Sequence, residues 1–134
     1  MQVYLSIILF GFLNGMILTK DNSFFPPQEN NDCLKKTSSE WASNCGACYN
    51  SSKSYRVNMQ NICSVNIDVK VAVQEKTMRW RTFNQNNMAP GDSISGYACE
   101  GTGKYVFWTR KAGDKNVEFP TDDAIEKEFS GAKK

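Results

Sequence analysis

Apolar and polar residues alternate in the middle of the chain. From residue 63 to residue 73 every odd position is apolar, whereas Asn66, Asp68 and Lys70 occupy even positions. A period of two places the two sets of side chains on opposite faces of a strand. We therefore predict a half-buried strand of an antiparallel sheet, with its valine and isoleucine side chains in the core and these three polar side chains in water.

Further strand-like patterns follow on the C-terminal side, at residues 77–83, 93–99 and 104–111. In the first of these, Met78 and Trp80 are expected to face the core. Arg79 and Arg81 then face outward. The short link of residues 74–76 predicts a hairpin between this segment and the strand before it.

Turn residues separate the remaining segments. Pro90 presets φ and Gly91 tolerates a positive φ, so residues 89–92 predict a tight turn. Residues 100–103, which contain two glycines, predict another turn.

The C-terminal part of the chain predicts one more strand and a helix. Residues 117–119 are expected to form an edge strand. Thr121 is a good N-cap for a short helix that continues through Phe129, and Asp122 and Asp123 favour its positive end.

The N-terminus carries an uncharged apolar run, residues 3–18, followed by a polar body from Lys20 onward. This run is shorter than the roughly 20 residues that span a membrane. It is typical of a cleaved export signal, here residues 1–19, and indicates a secreted or periplasmic protein. The alternatives are a retained signal anchor and an N-terminal strand of a cytosolic protein.

Residues 20–54 are rich in polar residues and show no sustained periodicity. We predict an irregular lead-in there. Within it, residues 35–41 are expected to form a short helix that is capped by Asp32, with Leu34 and Trp41 on its apolar side.

These patterns together predict an all-β protein, either a small antiparallel β-sandwich or a partly open barrel. An irregular cysteine-containing lead-in precedes it and a short helix follows. The expected organisation is a signal peptide at residues 1–19, a lead-in at 20–54, the β-sandwich core at 55–120, and a C-terminal helix and tail at 121–134.

Charge and composition exclude several functions. Sixteen basic residues are balanced by fourteen acidic ones, which is too even for a nucleic-acid partner or, after signal cleavage, a membrane partner. Histidine is absent, and with it the commonest general base and the commonest zinc ligand. No paired carboxylates or serine–histidine arrangement stand out. We therefore expect no metal or cofactor and favour a protein without catalytic activity.

Five cysteines in an exported chain predict disulfides. Cys63 has the inward parity of the central strand, and Cys99 that of a later one, so a Cys63–Cys99 bridge is the first choice. Two buried free thiols are the alternative if the protein is not exported.

The remaining cysteines are Cys33 and the pair in the segment Cys45-Gly-Ala-Cys48. A redox-active CxxC motif needs its first thiol at a helix N-terminus, whereas loop residues surround this one. We expect a structural disulfide, in which Cys33 could pair with Cys45 or Cys48 as readily as these two pair with each other. A zinc site built from these two together with Cys63 and Cys99 lacks the second CxxC that such sites usually have. The fifth thiol has no predicted partner.

A binding surface is predicted where residues 105–108 place bulky side chains on both faces of one strand. If Tyr105 and Phe107 join the core, Trp108 points outward. The predicted binding residues are then Trp108, Arg110, Arg79 and Arg81. A tryptophan flanked by guanidinium groups can stack on a sugar ring or anchor a protein partner. The alternative is that the C-terminal tail or the lead-in covers this face.

Three classes of function remain. The leading one is an exported, disulfide-stabilised binding module whose ligand is a glycan or a protein. The second is a secreted thiol–disulfide oxidoreductase that uses Cys45 and Cys48. The third is a structural or inhibitory secreted protein, in which rigidity is the purpose of the disulfides.

Overall fold

A computed structural model describes residues 31–129 of the chain. The predicted signal peptide and the first part of the lead-in lie outside the described residues. The elements follow in this order: a 3₁₀ turn at Asn31–Cys33, then β1 (Leu34–Trp41), β2 (Tyr55–Asn61), β3 (Ile67–Glu75), β4 (Trp80–Met88), β5 (Ser93–Ala98), β6 (Gly101–Lys111) and α1 (Asp122–Phe129). The predicted all-β fold class is confirmed.

The six strands form two antiparallel three-stranded sheets. Sheet 1 has the order β1-β2-β5 and sheet 2 the order β4-β3-β6. The sheets approach each other at both edges. Phe83 of β4 and Tyr97 of β5 have ring centroids 5.0 Å apart, and the Lys36 ammonium of β1 lies 5.9 Å from the ring centre of Tyr105 in β6. The result is a sandwich with barrel-like edges.

The main core lies between the two sheets. Alternate residues of β2 and β3 point into it, and Val57, Val71 and Val73 are fully buried. Branched side chains suit this pleated surface because their few rotamers pack well there. Gly96 of β5 has no room for a side chain, since an added Cβ would lie 2.9 Å from Cγ2 of Val73. The two sheets therefore pack closely where that glycine faces β3.

A second apolar cluster lies on the other face of sheet 2. Helix α1 covers this face, and Ile125 of the helix is fully buried there. Phe129 packs edge-on against Trp80 and Trp108, with ring centroids 5.8 and 6.1 Å apart. Sheet 2 is therefore buried on both faces, whereas within residues 31–129 no helix covers the outer face of sheet 1.

The predicted exposure of Asp68 and Lys70 is wrong, because the two residues are only 4% and 7% exposed. Lys70 Nζ donates hydrogen bonds to the carbonyl oxygen of Pro120 at 2.8 Å and to Asp122 Oδ1 at 2.7 Å. Alternation indicates which residues share a face but not whether another element covers that face. Only Asn66, which precedes the strand, is exposed as predicted.

The predicted helix at residues 35–41 is also wrong. This segment belongs to β1, which pairs antiparallel with β2 from Leu34↔Asn61 to Trp41↔Tyr55. Asp32 lies in the 3₁₀ turn before the strand. Only Leu34 of β1 is buried, so this edge strand lacks the apolar alternation by which strands are recognised.

Predictions for the hairpin before β4 hold only in part. Strand β4 begins at Trp80 and continues through the polar residues that follow it to Met88. Trp80 is buried, but in the cluster under α1 rather than between the sheets. Met78 lies in the hairpin turn with a φ of 70° and is 45% exposed, so its predicted inward position is wrong.

The local signals of the C-terminal half agree better with the structure. Asp92 N–H donates to the Ala89 carbonyl at 3.0 Å, and Gly91 has a φ of 84°, as the predicted turn requires. Thr121 Oγ1 accepts a hydrogen bond from Ala124 N–H at 3.2 Å, so the predicted cap is confirmed. The predicted turn at residues 100–103 is shorter, because β6 already begins at Gly101.

Residues 117–119 do not form the predicted edge strand. Their role is to connect β6 to α1 across the outer face of sheet 2. The Phe119 side chain packs into the cluster beneath the helix, and the Val117 carbonyl accepts a hydrogen bond from Arg110 Nη1 at 2.7 Å.

Candidate functional site

Two disulfides connect four of the five cysteines, and both pairings differ from the predictions. Cys33 is bonded to Cys63, and Cys48 is bonded to Cys99. The predicted Cys63–Cys99 bridge is wrong because the two residues lie at opposite ends of sheet 1. Cys99 follows Ala98, which pairs with the first residue of β2, whereas Cys63 lies two residues beyond the last residue of that strand. Seven strand residues separate the two ends by about 20 Å.

Each bridge holds a connecting segment against a sheet. Cys33–Cys63 joins the turn before β1 to the β2–β3 link, where the Ile62 N–H also donates to the Cys33 carbonyl at 2.8 Å. Cys48–Cys99 joins the loop of residues 42–54 to the β5–β6 turn. By the chain-entropy model, bridges that close loops of this length stabilise a fold by about 4 kcal/mol each.

Only one of the two cysteines in the CxxC segment forms a disulfide. Cys48 is bonded to Cys99, and Cys45 keeps a free, half-buried thiol whose sulfur donates to the Ser43 carbonyl at 3.4 Å. The two cysteines of the motif are not paired with each other, and Cys33 pairs with neither of them. The zinc alternative fails as well, because three of its four cysteines are consumed in disulfides.

The predicted binding residues do not form one surface. Trp108 is only 5% exposed, since α1 lies over it, so its predicted outward position in water is wrong. The structure confirms the alternative, in which the C-terminal part of the chain covers this face. Trp108 and Arg110 lie on β6, whereas Arg81 lies on β4 and Arg79 lies in the hairpin just before it, and β3 runs between the two strands.

Arg110 forms a partly buried ion pair with the buried Asp68. Its Nε donates to Asp68 Oδ2 at 3.0 Å, and its guanidinium lies 4.8 Å from the ring centre of Phe119. Asp68 also accepts hydrogen bonds from the backbone N–H groups of Asn87 at 2.9 Å and Gly113 at 3.2 Å. Burial by itself would raise the pKa of Asp68, but these donors and the Arg110 charge lower it. This cluster joins three chain segments and is structural.

The open face of sheet 1 carries a different kind of surface. Buried and half-buried residues alternate along β2 and β5, so one residue in two points away from the core. The resulting set is polar and lies in neighbouring rows across the three strands. We call it the polar face, and it consists of Ser38, Arg56, Asn58, Ser95 and Tyr97.

Hydrogen bonds connect this polar face from strand to strand. Arg56 Nη2 donates to Ser95 Oγ at 3.4 Å, and Ser95 Oγ donates to Asn58 Oδ1 at 2.5 Å. Asn58 Nδ2 then donates to Ser38 Oγ at 2.8 Å. The side chains are held in place by one another, while Arg56 keeps further N–H donors and Ser38 keeps its hydroxyl proton.

A second guanidinium, that of Arg81, borders the polar face beside Tyr97. The Arg81 guanidinium carbon lies 4.8 Å from the ring centre of Tyr97, and Arg81 Nε lies 4.0 Å from Glu75 Oε1. Of the four predicted binding residues, Arg81 is therefore the one that adjoins this surface. Sequence reasoning missed the residues of the polar face itself, although the alternation of residues 55–61 is the signal that identifies Arg56 and Asn58.

No family model matches this sequence, and a search of curated proteins found no similar protein. Within residues 31–129, none of the helical segments is long and apolar enough to cross a membrane.

Proposed function

We propose that this protein is an exported, disulfide-stabilised binding module that holds a glycan on the polar face. The observation that carries the proposal is the hydrogen-bond chain Arg56, Ser95, Asn58 and Ser38, which crosses all three strands of sheet 1. Side chains that are already ordered lose little conformational entropy when a ligand binds. The hydrogen bonds within the polar face therefore order its side chains before a ligand binds.

The chemistry of the polar face favours a glycan over a protein. Sugar hydroxyls both donate and accept hydrogen bonds, and they match amide, hydroxyl and guanidinium groups directly or through water. The centre of a protein interface is instead rich in large apolar side chains. In the described part of the chain, the exposed large apolar residues lie outside the polar face: Trp41, Tyr49, Ile62, Val65 and Met78.

Two features support export. Disulfides persist in oxidising compartments, and this domain carries two of them. The apolar run of residues 3–18 is typical of an export signal. The Cys48–Cys99 disulfide disfavours the oxidoreductase alternative, because the CxxC motif in this structure is neither a dithiol nor a Cys45–Cys48 disulfide.

Binding to immobilised polysaccharides and an oligosaccharide array tests the proposal. We expect wild-type protein to bind at least one polysaccharide and Asn58→Ala to weaken that binding by about tenfold, because the central member of the polar network is lost. Asn84→Ala is the matched control, since this exposed asparagine lies on β4, away from the polar face. Absence of polysaccharide binding, or equal losses in both variants with unchanged melting temperatures, would refute the proposal.

A further inference from the structure

The loop between β1 and β2 places a free thiol close to a disulfide in sequence. Cys45 precedes Cys48 by three residues, and Cys48 is bonded to Cys99. The chain bends at Gly46 and Ala47, and Gly46 has a φ of 73°, a value that glycine adopts without strain. Cys45 and Cys48 thus flank this bend.

The Arg81 side chain lies beside Cys99, the disulfide partner of Cys48. Arg81 Nη1 donates to Cys99 Sγ at 3.6 Å. Thiol–disulfide exchange is faster when the departing sulfur is stabilised as a thiolate, and a neighbouring arginine provides that stabilisation. The arrangement therefore makes Cys99 the better leaving group of the disulfide and leaves Cys48 as the sulfur to be attacked.

We infer that this loop undergoes an internal thiol–disulfide exchange. The Cys45 thiolate attacks Cys48 Sγ, the Cys45–Cys48 bond forms, and the Cys48–Cys99 bond breaks. The electron pair of the broken bond stays on Cys99 Sγ. The proton that Cys45 gives to water is returned by water to Cys99. One thiol and one disulfide are present before and after, so no oxidant or reductant takes part.

The exchange changes how the loop of residues 42–54 is attached. In the Cys48–Cys99 form the loop is covalently joined to the β5–β6 turn, and in the Cys45–Cys48 form the bridge lies within the loop. The loop base of the Cys48–Cys99 form also has two hydrogen bonds that involve no cysteine, from Ala42 N–H to the Ser54 carbonyl at 2.9 Å and from Gly101 N–H to the Lys53 carbonyl at 3.1 Å. The reactive thiol moves from the loop to the side of Arg81.

Thiol trapping tests the inference on the intact protein. Wild-type protein is held at pH 8, alkylated briefly with N-ethylmaleimide, and mapped by non-reducing peptide mass spectrometry. We expect the label to divide between Cys45 and Cys99. In Arg81→Met the share on Cys99 should fall by about threefold, since the thiolate loses a partner whose charge is partly screened by water. Arg79→Met is the control and should match wild type.

Label on Cys45 alone at every incubation time would overturn the inference, and an unchanged share in Arg81→Met would overturn the role of that residue. A second variant tests ring closure directly. Cys99→Ser has no original partner for Cys48, so in a glutathione redox buffer we expect a Cys45–Cys48 disulfide and no free thiol. Recovery of Cys45 and Cys48 as two free thiols would contradict the exchange. None of these outcomes depends on whether the polar face binds a glycan.

Discussion

The outer faces of the two sheets arise from the same alternation but end in different environments. Arg56 and Asn58 of β2 alternate with core residues and remain half-buried, whereas Asp68 and Lys70 of β3 alternate with core residues and are buried. The difference is the C-terminal segment, which packs over sheet 2. A polar row thus stays partly exposed to solvent on one sheet and becomes a set of internal structural contacts on the other.

The covered face should contribute more to stability than the polar face, and Trp108→Ala should show the largest effect. Removing this buried ring from beneath α1 leaves a cavity, so we expect a loss of about 3–5 kcal/mol in the free energy of unfolding, measured by urea denaturation. An exposed tryptophan would cost less than about 0.5 kcal/mol. A loss that small would mean that the helix does not cover sheet 2.

Lys70→Ala tests the polar contacts beneath the C-terminal segment. The substitution removes two hydrogen bonds and a buried aliphatic stem, so we expect a loss of about 2 kcal/mol. Lys35→Ala on the exposed part of β1 is the matched control and should change stability by less than about 0.5 kcal/mol. Equal effects of the two substitutions would show that Lys70 is not held against α1.

Acid should weaken the covered face. The hydrogen bond from Lys70 lowers the pKa of Asp122, and backbone donors together with Arg110 lower that of Asp68 against the effect of its burial. The unfolded chain binds protons more readily than the folded one, so stability is complete above the unfolded pKa of about 4 and falls as the pH drops through the folded values.

Melting temperatures between pH 5 and pH 2 measure this decline. We expect a shallower decline in the double variant Asp68→Asn and Asp122→Asn, which has neither carboxylate to protonate. If its decline is as steep as that of wild type, these two groups are not the source of the acid sensitivity.

The smallest effect on stability is expected on the polar face. Ser95→Ala removes a hydroxyl that bonds to Arg56 and Asn58 while leaving the core untouched, so the free energy of unfolding should fall by about 1 kcal/mol or less. Polysaccharide binding should nevertheless weaken, which separates the role of this surface from that of the covered face. A large loss of stability without a change in binding would reverse the comparison.

Sequence reasoning found most of the strands but less of the candidate site. The alternation around Val69 and Val71 identified the central strand, because apolar residues there recur at every second position, as one face of a strand requires. Edge strand β1 gave no such signal, since only Leu34 of its eight residues is buried. Trp108 was assigned to the correct side of β6, yet the helix that covers it comes from a distant part of the chain.

Local chemistry therefore determined the elements that depend on adjacent residues. The turn at Pro90 and Gly91 and the helix cap at Thr121 follow from backbone preferences and from hydrogen bonds within a few positions. Tertiary structure decided the disulfide partners and the face that α1 covers. Both depend on strand register and on contacts between residues far apart in sequence, and a local pattern of polar and apolar positions is compatible with several such arrangements.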